Sequence, residues 1–241
     1  MSKGKDRSAQ AKRIVAEQKA RERRRTVTLW TSVGVVAVLI IAGVIGWAAV
    51  ANQDKDTANA ASPPGTIDDG TAFGRGGGPV TIDIYEDFMC PICNRFEQAA
   101  GPTITQLVDA GKVTVRYHPI SILDGASSTK YSTRSAGAAA AAAEGGKFYE
   151  YHEALFANQP AEGSAGLDDA KLVELGKGVG LTGQAFADAV TNRTYDGWAT
   201  KVTDTASARG VTGTPTVLVA GTKLASPTAA ALSAAVEAAG A

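Results

Sequence analysis

The chain has 241 residues, with 24 basic and 24 acidic side chains, a formal net charge of zero and only two cysteines. This length allows one or two domains, with ample chain for a hydrophobic core. The sequence contains no phosphate-binding loop and no hydrolytic constellation, so it gives no support to a nucleotide-dependent or hydrolytic enzyme.

The overall charge balance hides a basic N-terminal tail. Residues 1–25 hold ten basic and three acidic residues, a net charge of +7, and the remainder of the chain carries −7. A basic arm of this kind can bind nucleic acid. The segment after it favours a different role, in which the tail orients a membrane anchor, and no nucleic-acid partner is predicted.

Residues 26–51 are predicted to form a transmembrane signal-anchor helix in contact with the lipid bilayer. The segment is uncharged and rich in Val, Ile, Leu, Ala and Gly. The stretch 27–50 would make a helix of about 36 Å at ~1.5 Å per residue, enough to cross a hydrocarbon core of about 30 Å. Trp30 and Trp47 would lie near its two interfaces.

The arginines before the anchor predict its orientation. Under the positive-inside rule, Arg23–Arg25 keeps residues 1–25 in the cytoplasm and exports the rest, so we expect a single-pass protein of the cell membrane. A cleaved signal peptide is the competing interpretation, because Ala49-Val50-Ala51 resembles a cleavage site. The uncleaved anchor is favoured, since the apolar stretch exceeds the usual ~7–15 residues of a signal peptide.

After the anchor, the sequence predicts a linker and then a βαβ unit. Residues 52–78 are rich in Asp, Ala, Gly and Pro, which is typical of a flexible linker. A strand over 79–85, a helix over 91–110 and a strand over 113–117 then follow, and this order predicts a right-handed parallel βαβ unit. Gly101-Pro102 is expected to kink the helix or split it in two.

The remaining chain predicts a helical insertion followed by a last strand and helix. Several helices fill residues 125–209 approximately, among them an amphipathic stripe that includes His152. A strand over 216–219 and a helix over 227–239 close the chain. The predicted fold class of the domain at 79–241 is therefore α/β with a helical insertion.

The two cysteines, Cys90 and Cys93, form one Cys-x-x-Cys unit at the junction of the first strand and the helix. Pro91 occupies the first helical position, which proline favours, so Cys90 is expected to be the N-cap. Its sulfur would face free backbone N–H groups and the positive helix end, which lower the pKa of a thiol. Cys90 would attack or be attacked, and Cys93 would resolve the mixed disulfide.

Two other interpretations of the cysteine pair remain open. A structural disulfide would add little stability, because its short loop removes little chain entropy. A metal site of both cysteines with His118 and His152 would have a complete ligand set, but the histidines lack zinc-finger spacing. A core or rim position is favoured for His152, and neither a metal site nor a cofactor is predicted.

Three motifs together resemble the DsbA family of thioredoxin-fold proteins, in particular its membrane-anchored members from actinobacteria. The first surrounds the cysteines, the second lies in the helical insertion, and the third precedes the last strand. They are Tyr85–Cys93 followed by Phe96-Glu97, then His152–Pro160, and Val211–Thr216. The resemblance covers residues 79–240 approximately.

The resemblance implies a thioredoxin fold in which the active-site dipeptide Pro91-Ile92 separates the reactive cysteines. It also implies that Thr214 and Pro215 form a cis-proline loop beside the dithiol and offer backbone groups to an extended substrate peptide. The implied substrates are cysteine-containing exported proteins. The implied oxidant is a membrane partner of the DsbB or VKOR kind.

One departure from the family lies between the cysteines. DsbA-like oxidases often carry a histidine where this chain has Ile92. Without that polar residue, we expect Cys90 to be less acidic than the DsbA cysteine, whose pKa is about 3.5. We expect the couple to be less oxidising as well.

A second departure concerns the proton relay. The buried acid that assists proton transfer in thioredoxin relatives would align with Ile84 in this sequence. Asp83, Glu86 and Asp87 are the candidates to replace it. Glu86 is preferred, although a solvated loop acid is an equally good interpretation of the same residue.

The leading hypothesis is a membrane-anchored extracytoplasmic oxidoreductase that donates the Cys90–Cys93 disulfide to secreted or envelope proteins. An oxidising exterior would maintain such a disulfide. A client-specific reductase or isomerase is the alternative in the same class, because direction depends on redox poise and partner. A non-catalytic module that binds peptides near Pro215 is the alternative from a different class.

Overall fold

The computed structural model describes residues 60–240, which form a six-stranded mixed sheet flanked by helices. The strand order is β1-β2-β4-β3-β5-β6, and β3 with β4 is the parallel pair. The strands are Thr66–Ile67 (β1), Ala72–Gly76 (β2), Val80–Glu86 (β3), Val113–Pro119 (β4), Thr216–Val219 (β5) and Thr222–Lys223 (β6).

Seven α-helices accompany the sheet within residues 60–240. They are Pro91–Asp109 (α1), Tyr131–Glu144 (α2), Phe148–Ala157 (α3), Asp169–Gly178 (α4), Gln184–Thr191 (α5), Asp196–Ala208 (α6) and Ala229–Ala238 (α7). Helix α1 connects the parallel strands β3 and β4, so the predicted βαβ unit is confirmed. Helices α2 to α6 lie between β4 and β5 in the chain and form the predicted insertion.

Helix α1 continues through Pro102, so of the two predicted outcomes, a kink or a split, the split is wrong. Its buried residues lie on both sides of the proline: Cys93, Phe96 and Ala100 before it, and Ile104 after it. Burial of this continuous apolar stripe offsets the single backbone hydrogen bond that a proline removes. Tertiary packing therefore keeps the helix continuous at a position where the local sequence favours a break.

The predicted linker, 52–78, differs from the structure in its second half. Strands β1 and β2 lie inside that range, and β2 pairs with β4 with Phe73 opposite Tyr117. Phe73 is 4% exposed and stacks on Phe148 with ring centroids 4.2 Å apart. The glycines of β2 suggested flexibility, but one buried aromatic side chain and an available sheet edge fix the segment.

Within residues 60–240, no helix combines the length and the apolar character needed to span a bilayer. The predicted tail, 1–25, and the predicted anchor, 26–51, lie outside the described residues, as does the cleavage-site alternative at Ala49–Ala51.

Candidate active site

Cys90 and Cys93 lie at the junction between the end of β3 and the start of α1. Cys90 is the N-cap, with an extended backbone (φ −77°, ψ 115°), and Pro91 is the first helical residue, as predicted. Both are free thiols, and they are 6% and 0% exposed respectively. The helix thus presents one thiol at its end and holds the other one turn deeper in the core.

The surroundings of Cys90 favour its thiolate. A hydrogen bond with Cys93 is the largest cause that lowers the pKa of Cys90, to about 5, and burial opposes it. Thr214 and the backbone N–H groups of Cys93 and Ile92 lower this pKa further. It lies below the ~8.5 of a free thiol, which is the direction expected at a helix N-terminus.

Cys93 has the opposite character. Burial raises its pKa far above the ordinary value, and the negative charges of Cys90 and Glu86 add to that effect. The pair therefore has one sulfur that ionises readily and one that holds its proton. In thiol–disulfide exchange, the first is the attacking or leaving thiolate and the second is the group that must be deprotonated or reprotonated.

The loop before β5 completes the site from a distant part of the chain. The Thr214–Pro215 peptide bond is cis, as the resemblance implied. The Cys90 thiol donates to the Thr214 carbonyl oxygen with the two atoms 3.6 Å apart. Ile92 lies between the cysteines in sequence and is 54% exposed, so an apolar side chain marks the open side of the dithiol.

The three candidate relay acids lie in different places. Side chains alternate along β3, so Asp83 and Glu86 point to opposite faces of the sheet. Asp83 binds Arg116 (Oδ2–Nη2, 2.7 Å) and His118 (Oδ1–Nε2, 3.1 Å), away from the cysteines. Those bonds keep the pKa of Asp83 low although burial opposes the shift.

Asp87 fixes the backbone around the dithiol. Its Oδ1 accepts from the Met89 N–H at 2.9 Å and its Oδ2 from the Leu123 N–H at 3.0 Å. Burial raises the pKa of Asp87 to about 6, against the effect of these hydrogen bonds. Both carboxylate oxygens are occupied by backbone donors, so Asp87 positions the loop that leads to Cys90.

Glu86 is buried on the face of the sheet that carries the cysteines. It is 0% exposed, and its Oε1 lies 2.5 Å from Nε2 of His152, which is also 0% exposed. Burial alone would lower the pKa of His152, but the Glu86 carboxylate raises it overall. His152 is a core residue, as favoured from the sequence, and its carboxylate partner was not foreseen.

The metal alternative for the cysteines does not fit this arrangement. His118 bonds to Asp83 and stacks on Tyr85, whereas His152 bonds to Glu86, on the opposite face of the sheet. The two histidines therefore cannot join both cysteines around one ion.

Gln159 is a site residue that the sequence reasoning missed. Its side-chain N–H group donates to the carbonyl oxygens of Phe88 and Cys90, each at 3.0 Å. Asn94 in turn donates to the Gln159 side-chain oxygen at 3.2 Å. Gln159 belongs to the second motif of the family resemblance, which was the available signal, but its contact with Cys90 spans 69 residues of sequence.

Comparisons with known proteins agree with this geometry. A family model described as Thioredoxin matches residues 66–238, well over half of the chain. DsbA from Mycobacterium tuberculosis, in its reduced form, superposes with a TM-score of 0.62 at 36% identity, covering 71% of this chain and 93% of that one. The disulfide bond oxidoreductase DsbG from the same organism gives 0.63 at 35% identity, covering 78% and 93%.

A curated relative has a very different description. The serine/threonine-protein kinase PknE of Mycobacterium tuberculosis is 34% identical over 164 residues, which are 63% of this chain and 28% of the kinase. The chain thus spans less than a third of that relative. Together, the family model, the solved relatives and the dithiol place this chain in the thioredoxin family, as a DsbA-like thiol–disulfide oxidoreductase.

Proposed function

We propose that this protein is a membrane-anchored, extracytoplasmic disulfide donor for the oxidative folding of secreted or envelope proteins. The observation that carries the direction is the contrast between the cysteines, with a Cys90 pKa of about 5 beside a buried Cys93. A stabilised Cys90 thiolate favours the reduced form of the pair. A pair whose reduced form is stabilised is an oxidant toward ordinary thiols.

The reaction runs in two exchanges. A client thiolate attacks Cys90 Sγ of the disulfide, the Cys90–Cys93 bond breaks, and Cys93 leaves and takes up a proton. A second client thiolate then attacks the client sulfur of the mixed disulfide and releases Cys90 as a thiolate. The client loses two electrons and the pair gains them.

Glu86 is our candidate for the proton relay to Cys93. Glu86 and Asp87 are both 0% exposed, but Glu86 is the one with an unpaired carboxylate oxygen, and its charge raises the pKa of Cys93. Asp83 lies on the other face, and Asp87 is held by backbone N–H groups. Because Cys93 is 0% exposed, we infer that its proton comes from a group inside the protein.

Client binding is assigned to the surface beside Cys90. Thr214 and Pro215 would offer backbone groups to an extended peptide, and exposed Ile92 would contact its apolar side chains. Specificity for cysteine-containing clients would then come from the reaction itself, with few side-chain requirements.

The N-terminal segment gives the proposed location. The net charge of +7 on residues 1–25 and the uncharged stretch 26–51 support a cytoplasmic tail and a single span. A membrane partner of the DsbB or VKOR kind would accept the two electrons from Cys90 and Cys93. The cysteines are the only two in the sequence, so no second pair within the chain can perform that step.

The experiment that tests the direction traps the thiols in cells with an alkylating reagent. A disulfide donor is expected to be mostly oxidised at steady state, and a reductase or isomerase mostly reduced. Cys90→Ala separates both from a peptide-binding module, which would keep its function. Because Ile92 stands where DsbA-like oxidases often carry a histidine, we also expect a measured reduction potential more negative than the approximately −120 mV of DsbA.

A further inference from the structure

We propose that Glu86, Glu97 and His152 form a binding site for a divalent first-row metal ion, with Zn²⁺ as the best-fitting probe. The site lies beneath the dithiol, where the end of β3 meets helices α1 and α3. Glu97 and Glu86 were not among the metal ligands that the sequence suggested, which were the two cysteines with His118 and His152.

The geometry provides three ligand atoms in one place. One ligand atom from each residue lies within 4.8 Å of the other two. Zn²⁺ accepts imidazole nitrogen and carboxylate oxygen at about 2.0–2.2 Å, and three protein ligands with one open position form a common zinc arrangement. The mixed nitrogen and oxygen donors suit first-row divalent ions better than Mg²⁺ or Ca²⁺.

Unpartnered atoms are the second, independent observation. Within residues 60–240, seven buried side-chain nitrogen or oxygen atoms have no hydrogen-bond partner, and this cluster holds three of them. They are Glu86 Oε2, Glu97 Oε1 and His152 Nδ1, and the side chains of Glu86 and His152 are fully buried. Folded proteins rarely leave such atoms unpaired. A bound cation that pairs with the two carboxylate oxygens and displaces the imidazole proton would explain them.

A second carboxylate–histidine cluster shows what is missing. Asp68, Asp83 and His118 also place three ligand atoms close together. There, the guanidinium groups of Arg116 and Arg209 pair with the two carboxylates and supply the positive charge. Among the described residues, no lysine or arginine forms an ion pair with Glu86 or Glu97, and His152 is the cationic partner of Glu86. The cluster therefore holds two carboxylates beside one imidazole, and an external cation can supply the remaining positive charge.

A groove gives the ion a path to the site. A cavity of about 660 Å³ opens between α1 and α3, and Glu97, His152 and Glu153 line it together with Asn94 and Tyr149. The Arg75 guanidinium lies 3.8 Å from the Tyr149 ring centroid and donates to Thr105. The groove therefore gives an ion access to the cluster from the side of Glu97 and His152.

The test measures Zn²⁺ binding to the full-length protein by equilibrium dialysis, with the Cys90–Cys93 disulfide formed. Oxidation removes both thiols as ligands, and His118 and His152 are the only histidines in the sequence. We expect one Zn²⁺ per chain, with an affinity that falls tenfold or more in His152→Gln and in Glu97→Gln. The matched control, His118→Gln, should keep the wild-type affinity.

A Co²⁺ spectrum of the wild-type protein gives a readout that does not depend on variants folding. A low-coordinate site of one imidazole and two carboxylates should produce intense visible bands, which excess Zn²⁺ removes. Absence of stoichiometric binding to the wild type would overturn the proposal, and so would equal binding by wild type, His152→Gln and Glu97→Gln. Binding needs no turnover, so dialysis and the Co²⁺ spectrum can fail without affecting the proposed disulfide exchange. The two proposals share the Glu86 carboxylate, so disulfide exchange is expected to slow when Zn²⁺ occupies the site.

Discussion

Asp83 and Glu86 lie three residues apart on strand β3, and each belongs to a carboxylate–histidine cluster. The two clusters differ in how completely their polar atoms are paired. Asp83 and His118 on one face of the sheet are bonded to each other and to Arg116, so every charge has a partner. Glu86 and His152 on the other face are bonded to each other and leave one atom of each side chain unpaired. The difference separates a structural ion-pair network from a cluster with capacity to exchange a proton or bind an ion.

The largest effect on activity is expected from substitution of the cysteines, which lie on the same face of the sheet as Glu86. Cys90→Ala should abolish oxidation of a reduced model peptide, a loss of at least about 10³-fold, because the remaining cysteine, Cys93, is buried and has no partner with which to form a disulfide to donate. Cys93→Ala should instead accumulate mixed disulfides when it is given a client that carries a disulfide, because Cys90 attacks that bond and no second thiol of the pair resolves the product. The measurement is peptide oxidation followed by mass spectrometry, and substantial turnover by Cys90→Ala would contradict the mechanism.

The next effect compares the two clusters directly. Glu86→Gln should slow disulfide exchange by about 10–100-fold at neutral pH, because Cys93 loses its proton relay. Asp83→Asn, on the opposite face, should leave the rate within about twofold of wild type. Stopped-flow kinetics of peptide oxidation measures both, and equal rates for Glu86→Gln and wild type would remove Glu86 from the relay.

The pH dependence of Cys90 sharpens the assignment of the reactive thiolate. With a pKa of about 5, the alkylation rate of reduced protein should be nearly constant above pH 6 and fall about tenfold per unit below pH 5. A folded pKa below the unfolded value of ~8.5 stabilises the reduced fold above pH 8.5, and this stabilisation is lost as pH falls through 5. Iodoacetamide kinetics and urea unfolding of the reduced protein check the two statements. An alkylation rate whose pH profile has its midpoint near pH 8.5 in the native protein would contradict them.

The smallest effect is expected from the structural cluster. Asp83→Asn should lower the free energy of unfolding by about 1–3 kcal/mol, because His118 and Arg116 each lose a charged acceptor. Urea unfolding measures the change, with Asp188→Asn as a control whose only described side-chain bond is to exposed Gln184. An Asp83→Asn variant as stable as wild type would show that the network contributes nothing.

The elements with strong local signals were predictable. Strand β3 follows from its β-branched alternation, and helix α1 begins at Pro91 because proline suits the first turn. The β2 strand was not predictable, because its glycines resemble a linker and only the edge of β4 gives Phe73 a place to pack. Pro102 shows the same limit in the opposite direction. A proline favours a break in a helix, but burial of the apolar residues on both sides of it keeps α1 continuous.

The features of the active site also divide into those that the sequence predicted and those that only the structure revealed. Sequence alone determined the dithiol, the expected order of its two thiols and, through the family motifs, the loop at Thr214 and Pro215. Only the tertiary structure decided which acid accompanies which histidine and that Gln159 holds the Cys90 backbone. The physical reason is the range of the interactions: a helix N-terminus acts on its own cysteine, whereas Glu86 and His152 are 66 residues apart and meet only once the sheet and α3 are packed.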